Sequence, residues 1–197
     1  MQSKANPSLS QSARRAGLTA ALLLLIPAAA MLLTGEVNWG PGDFLVAGAL
    51  LFGAALAWRL TVARTGELAY RLGMAIAILA LLLLVWGNLA VGVIGAEGNP
   101  ANLLYFVVPA AAFMVAAITG FRARGMVLAM LTAGLAQALV TLTAFATGWG
   151  DSGVEPLEVV LVNGFFIALF GAAAGMFLRS AREKHMKSNE DDAEKVS

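Results

Sequence analysis

The sequence has no cysteine and only one histidine, and each scarcity excludes a class of chemistry. Without cysteine, the chain itself cannot form a disulfide, a thiolate metal site, an iron–sulfur cluster or a cysteine nucleophile. The single histidine, His185, falls in a charged C-terminal stretch, so this chain alone cannot supply the paired histidines of a haem site or a multi-histidine metal centre. We therefore expect a solvated His185 and no bound cofactor.

Charged residues are also scarce. They make up 13% of the 197 residues, against about 25% in an average globular protein, and hydrophobic residues make up 59%. The net charge of +1 gives no support to a nucleic-acid partner. The composition instead predicts an integral membrane protein whose main surroundings are the lipid bilayer.

Six stretches are apolar enough to cross a bilayer core, which requires about 20 helical residues. They are residues 17–34, 44–63, 72–94, 103–121, 126–147 and 157–178. The run 76–86 is apolar on every face, as in a membrane helix. Arg14 and Arg15 before the first stretch also suit a cleaved secretory signal, but its length favours a retained span. We predict an all-α bundle of six transmembrane helices over residues 17–178.

The basic residues indicate the orientation, because Lys and Arg resist translocation across the membrane. If six spans are correct, all thirteen lie on one side: Lys4, Arg14, Arg15, Arg59, Arg64, Arg71, Arg122, Arg124, Arg179, Arg182, Lys184, Lys187 and Lys195. The opposite loops hold only acids: Glu36, Asp43, Glu97, Asp151, Glu155 and Glu158. We predict a bacterial inner-membrane protein with a cytoplasmic N-terminal tail, 1–16, and a charged cytoplasmic C-terminal tail, 179–197.

Small residues four apart predict two places where helices approach closely. Gly53 with Ala57, and Gly171 with Gly175, each put two small side chains on one helical face. The contact could form within the bundle or between two copies of the chain, and the sequence leaves both open.

Three amides are the main polar side chains inside the apolar spans: Asn88, Gln137 and Asn163. Each is a functional candidate, since a polar residue inside a bilayer costs free energy unless it is paired or wetted. Asn88 and Asn163 fall at comparable depth in the outward half, so they could meet in one cluster. The cluster could hold helices together, at about 1 kcal/mol per hydrogen bond, or line a path for a solute.

The third loop is the densest polar feature. Glu97, Asn99 and Asn102 supply oxygen atoms that suit a hard cation, although one carboxylate makes a poor metal site. A structural interpretation is also open, in which Gly95 ends the third span, Pro100 prevents its continuation and Asn102 caps the fourth span. We predict no bound metal here.

The segment 88–102 reads Asn-Leu-Ala-Val-Gly-Val-Ile-Gly-Ala-Glu-Gly-Asn-Pro-Ala-Asn. It resembles a family of small, functionally uncharacterised bacterial six-span inner-membrane proteins with a similar Asn-Leu-Ala-Val-Gly-x-Ile-Gly-x-Glu-x-Asn-Pro-Ala-Asn segment. In those proteins the position of Gly98 is often acidic, and the glycine here further weakens a metal site. The resemblance implies no activity and no functional residue.

No enzyme motif is present: there is no intramembrane Ser–His pair, His-Glu-x-x-His helix, aspartate pair or Gly-rich phosphate loop. We expect a non-enzymatic membrane protein, either an accessory or scaffolding subunit that binds other membrane subunits, or a bundle that binds a second copy of itself. The alternative is a channel or carrier for a small solute or cation, with an acidic outer vestibule.

Overall fold

The computed structural model describes residues 8–34, 38–90, 100–147 and 155–196, and this part of the chain contains helices and no strand. The α-helices are α1 (Leu9–Leu33), α2 (Pro41–Arg64), α3 (Leu68–Ala90), α4 (Val107–Ile118), α5 (Ala123–Ala146) and α6 (Pro156–Val196). A 3₁₀ helix, Pro100–Phe106, leads directly into α4. The predicted all-α class is confirmed.

Five of these helices are long and apolar enough to cross a membrane: α1, α2, α3, α5 and α6. The fourth predicted span, 103–121, corresponds to the shorter apolar helix Asn102–Ile118. Several apolar helices of this length are what an integral membrane protein requires.

Two helices, α1 and α6, extend furthest beyond the predicted spans. α1 begins at Leu9 and not at residue 17, because the Ser8 side chain accepts a hydrogen bond from the Gln11 backbone N–H at 3.3 Å and caps the first turn. α6 continues through the charged stretch 179–196. A helix that is already formed extends without a new nucleation cost, so this stretch does not need an apolar face to remain helical.

α4 ends at Ile118, three residues before the predicted end of the fourth span. Gly120 and Phe121 have φ of 63° and 55°, outside the helical region. Their backbone N–H groups bond back to the carbonyls of Ala117 and Ala116, the pattern of a Schellman cap. The last residues of the third predicted span, 91–94, lie outside the described residues.

The chain divides into two compact units, Met1–Gly66 and Glu67–Ser197. In the first unit, α1 and α2 contact each other through small residues, of which Ala16, Ala20 and Ala47 are buried. Arg59 in α2 donates a hydrogen bond of 3.3 Å to the Thr19 hydroxyl in α1. The first unit is therefore a helical hairpin.

The second unit is a bundle in which α5 packs between α4 and α6, and α3 packs on α6. Its core is formed by large apolar side chains from every helix, including Leu84, Tyr105, Val108, Met130, Phe170 and Phe177. α3 comes close to α6 at Gly73, where an added Cβ would lie 3.1 Å from the Phe177 ring.

The glycines that allow close packing inside each unit differ from the predicted ones. An added Cβ at Gly53, Gly171 or Gly175 would meet no heavy atom within 4 Å in the described structure. At Gly48 it would lie 3.3 Å from a Leu24 methyl carbon. The glycines of the Gly53–Ala57 and Gly171–Gly175 pairs lie on exposed faces. The close helix contact predicted for these pairs stays a prediction.

Candidate functional site

The second unit contains a buried polar cluster in its apolar core. The Gln137 Nε2 in α5 donates a hydrogen bond of 2.8 Å to the Asn163 Oδ1 in α6. The Tyr105 hydroxyl, from the 3₁₀ helix, donates to the same oxygen at 3.0 Å. All three side chains are at most 1% exposed. We call Tyr105, Gln137 and Asn163 the amide cluster.

The orientation of each amide in the cluster follows from its neighbours. The Asn163 Nδ2 donates at 2.8 Å to the Val159 carbonyl one turn earlier in α6, so the Asn163 Oδ1 must face the other two residues. Gln137 must then present its NH₂ group to that oxygen. The Gln137 Oε1 consequently points away, and it has no hydrogen-bond partner in the described structure.

Thr141 lies one turn from Gln137 on the same face of α5. Its hydroxyl donates at 2.8 Å to the Gln137 backbone carbonyl and also lies close enough to interact with the Tyr105 hydroxyl. The cluster therefore joins the 3₁₀ helix, α5 and α6 through neutral hydrogen bonds.

Asn88 binds the 3₁₀ helix at a different point. Its Nδ2 donates at 2.8 Å to the backbone carbonyl of Asn102, and both residues are buried. Asn102 and Tyr105 are one 3₁₀ turn apart, so this short helix connects Asn88 to the amide cluster. Among the described residues, the Asn88 Oδ1 has no hydrogen-bond partner.

The structure thus brings Gln137 and Asn163 together directly, and it connects Asn88 to them through the 3₁₀ helix. Asn102 does not cap α4, because the 3₁₀ helix already covers its position and Phe106 takes the place before the first α-helical residue. The other predicted loop residues, Glu97 and Asn99, lie outside the described residues.

Two buried carbonyl oxygens without a donor are unusual, since about 90% or more of buried polar groups in proteins are paired. Each such group costs about 1–3 kcal/mol when it stays unpaired. The chemistry that the Gln137 and Asn88 oxygens offer is acceptance of hydrogen bonds from a neutral donor. No group of three or more His, Asp or Glu side chains that could hold a metal occurs in the described ranges.

The predicted acidic vestibule is only partly covered by the described residues. Asp43 accepts a hydrogen bond of 2.8 Å from the Gly40 backbone N–H and so caps α2. Glu155 and Glu158 lie at the start of α6 and are exposed. Glu36 and Asp151, like Glu97, lie outside the described residues.

A second polar cluster, which sequence reasoning missed, lies at the other end of the second unit. The Ser180 hydroxyl, 0% exposed, donates to the Glu67 carboxylate, and the Lys184 Nζ lies 3.3 Å from the other Glu67 oxygen. Close by in the chain, the Tyr70 hydroxyl donates at 2.6 Å to the Phe121 carbonyl in the α4–α5 turn. We call Glu67, Ser180 and Lys184 the Glu67 cluster.

No family model matches the chain, and no curated protein or solved structure is significantly similar to it. The function must therefore be argued from the chain's own residues.

Proposed function

We propose that this chain is a non-enzymatic protein of the bacterial inner membrane that acts by association, as an accessory or scaffolding subunit of a membrane assembly or as a self-associating bundle. The observation that carries the proposal is a face of small residues on α6 that is not used inside the second unit.

α6 has two opposite faces. The buried face includes Asn163, Phe170 and Phe177, which pack in the core. The opposite face includes, beside exposed large residues such as Leu161 and Phe165, a stripe of exposed small residues at helical spacings of four, three and four: Gly164, Ala168, Gly171 and Gly175. An added Cβ at any of its three glycines would meet nothing within 4 Å.

Small residues at this spacing favour association of helices in a bilayer, because they allow two backbones to approach closely and gain van der Waals contact. Lipid tails cover leucine and phenylalanine as well as they cover glycine, so lipid contact does not account for a stripe of small residues. A helix of another membrane subunit or of a second copy is the occupant that suits this face.

The experiment is to replace Gly171 and Gly175 together by leucine and to compare the mass of the gently extracted assembly with that of the wild type by native mass spectrometry. We expect the variant to lose its bound subunit or copy. The matched control replaces Ala110 and Ala117, exposed alanines on α4, by leucine and should keep the wild-type mass. A glycine variant that folds and remains fully associated would contradict the proposal.

The proposal includes six spans with both termini in the cytoplasm. The 3₁₀ helix Pro100–Phe106 and α4 together measure roughly 32 Å along their axes, at about 2.0 and 1.5 Å per residue, which is close to the bilayer core of about 30 Å. This length supports the 3₁₀ helix and α4 together as the fourth of six spans, and the one-sided basic residues support the orientation.

The chain has no cysteine, so single cysteines can report the topology without interference. We expect an impermeant maleimide to label Gly98→Cys and Ser152→Cys in intact spheroplasts, and to label Ser3→Cys and Ser188→Cys only after the membrane is opened. The reverse pattern would contradict the topology. So would a result in which only one of the Ser3→Cys and Ser188→Cys variants is labelled in intact spheroplasts.

A channel or carrier for a small solute or cation is the second candidate. The unpaired oxygens of Asn88 and Gln137 favour it, because groups of this kind can replace water around a passing solute. The burial of the amide cluster favours a role in helix packing and counts against a role in lining a solute path. An Asn88→Leu protein that folds but loses solute flux in liposomes supports the carrier, whereas unchanged flux counts against it.

A further inference from the structure

The Gln137 Oε1 is an acceptor whose direction is fixed by three hydrogen bonds. The Asn163 amide is held by the Val159 carbonyl, Tyr105 donates to its oxygen, and Gln137 must therefore turn its NH₂ group toward Asn163. Exchanging the oxygen and nitrogen of Gln137 would put two carbonyl oxygens against each other. The unpaired oxygen is thus a consequence of the network and not of an arbitrary choice of amide orientation.

We propose that the Gln137 Oε1 is the acceptor in a buried binding site for a small neutral hydrogen-bond donor. Gln137 is 0% exposed, and its carbonyl oxygen has no partner among the described residues. The Thr141 hydroxyl lies one turn along the same face of α5 and donates to the Gln137 backbone carbonyl, so its oxygen is a second acceptor on that face. A buried water typically makes two to four hydrogen bonds.

The bound donor must be neutral, because the site has no charged group among the described residues. Its members are amide and hydroxyl groups, and an ion would have to leave its hydration shell without a charge of opposite sign among them. The donor is also small, because the cluster belongs to a core of packed large side chains that includes Met130 and Phe170. Water and a small polar solute with an O–H or N–H group share this chemistry.

The test is nuclear magnetic resonance of the full chain in lipid nanodiscs, with ¹⁵N on glutamine side chains only. The chain has three glutamines, Gln2, Gln11 and Gln137, so the spectrum holds three side-chain amide groups. The Gln137 signal is the one that remains in a variant with Gln2→Ser and Gln11→Ser, which leaves the buried site untouched.

We expect magnetisation transfer to the Gln137 NH₂ group from a bound donor during a short mixing time. Gln11 is exposed and serves as the positive control for transfer from water. The ¹³C-methyl group of Met130, which is 2% exposed, serves as the negative control. Transfer from the water resonance identifies water as the donor. Transfer from a non-protein resonance that survives extensive buffer exchange identifies a small solute, and either result supports the site.

The proposal is overturned if the Gln137 NH₂ group receives no magnetisation from water or from a bound solute while the Gln11 NH₂ group does. It is also overturned if magnetisation builds up on the Gln137 NH₂ group no faster than on the Met130 methyl group. This outcome leaves the association of α6 untouched, because the two proposals depend on opposite faces of that helix.

Discussion

Gln137 in α5 and Asn163 in α6 are joined by a hydrogen bond of 2.8 Å inside the apolar core of the second unit. A double-mutant cycle with Gln137→Leu and Asn163→Leu should give a coupling energy of about 1 kcal/mol, which is typical of hydrogen bonds between membrane helices. The free energies of unfolding can be measured by titration of mixed micelles with a denaturing detergent. Additive effects of the two substitutions would show that the bond contributes nothing.

The single substitution Asn163→Leu should cost more than Tyr105→Phe. Asn163→Leu leaves two donors, on Gln137 and Tyr105, without their acceptor, and each buried group left unpaired costs about 1–3 kcal/mol. Tyr105→Phe removes only one of the two donors to the Asn163 Oδ1, so its expected cost is about 1 kcal/mol. The same unfolding titration compares them, and an equal or reversed order would rule out Asn163 as the centre of the network.

Gly125→Ala should destabilise the protein. An added Cβ at Gly125 would overlap the Thr119 Oγ1, so the tight α4–α5 turn must shift, and such overpacking typically costs about 1–3 kcal/mol. Gly87→Ala in α3 is the matched control, because an added Cβ there meets nothing within 4 Å and alanine favours a helix by about 1 kcal/mol. Thermal unfolding should separate the two variants, and a Gly125→Ala protein as stable as Gly87→Ala contradicts the close contact.

Glu67→Ala should loosen the part of α6 that follows its apolar segment. The substitution removes the acceptor of the buried Ser180 hydroxyl and the ion-pair partner of Lys184. We expect faster hydrogen exchange over residues 181–187. Glu183→Ala, which removes the exposed pair between Arg179 and Glu183, is the control and should leave that exchange nearly unchanged, since exposed ion pairs contribute little. Equal exchange in both variants would exclude a stabilising role for the Glu67 cluster.

Most of the fold could be predicted from the sequence, because hydropathy over 20 residues is a strong signal for a membrane helix. The ends of the helices could not be predicted from hydropathy, because they depend on local contacts. Ser8 caps α1, which begins eight residues before the predicted start, and two left-handed residues end α4 early. Orientation and the count of six spans stay predictions.

The site could be predicted in part. An amide is conspicuous in an apolar span, and so Asn88, Gln137 and Asn163 could be singled out. Tyr105 could not, because tyrosine is common near membrane interfaces for reasons unrelated to a site. The bond between Glu67 and Ser180 joins residues 113 positions apart, and no local pattern in the sequence indicates it.

The most direct test of association is native mass spectrometry of the wild-type protein extracted gently from its own membrane. We expect a stoichiometric complex, either with another membrane subunit or with a second copy of the chain. A bare monomer under every mild extraction condition would contradict the proposed association and would favour the carrier hypothesis.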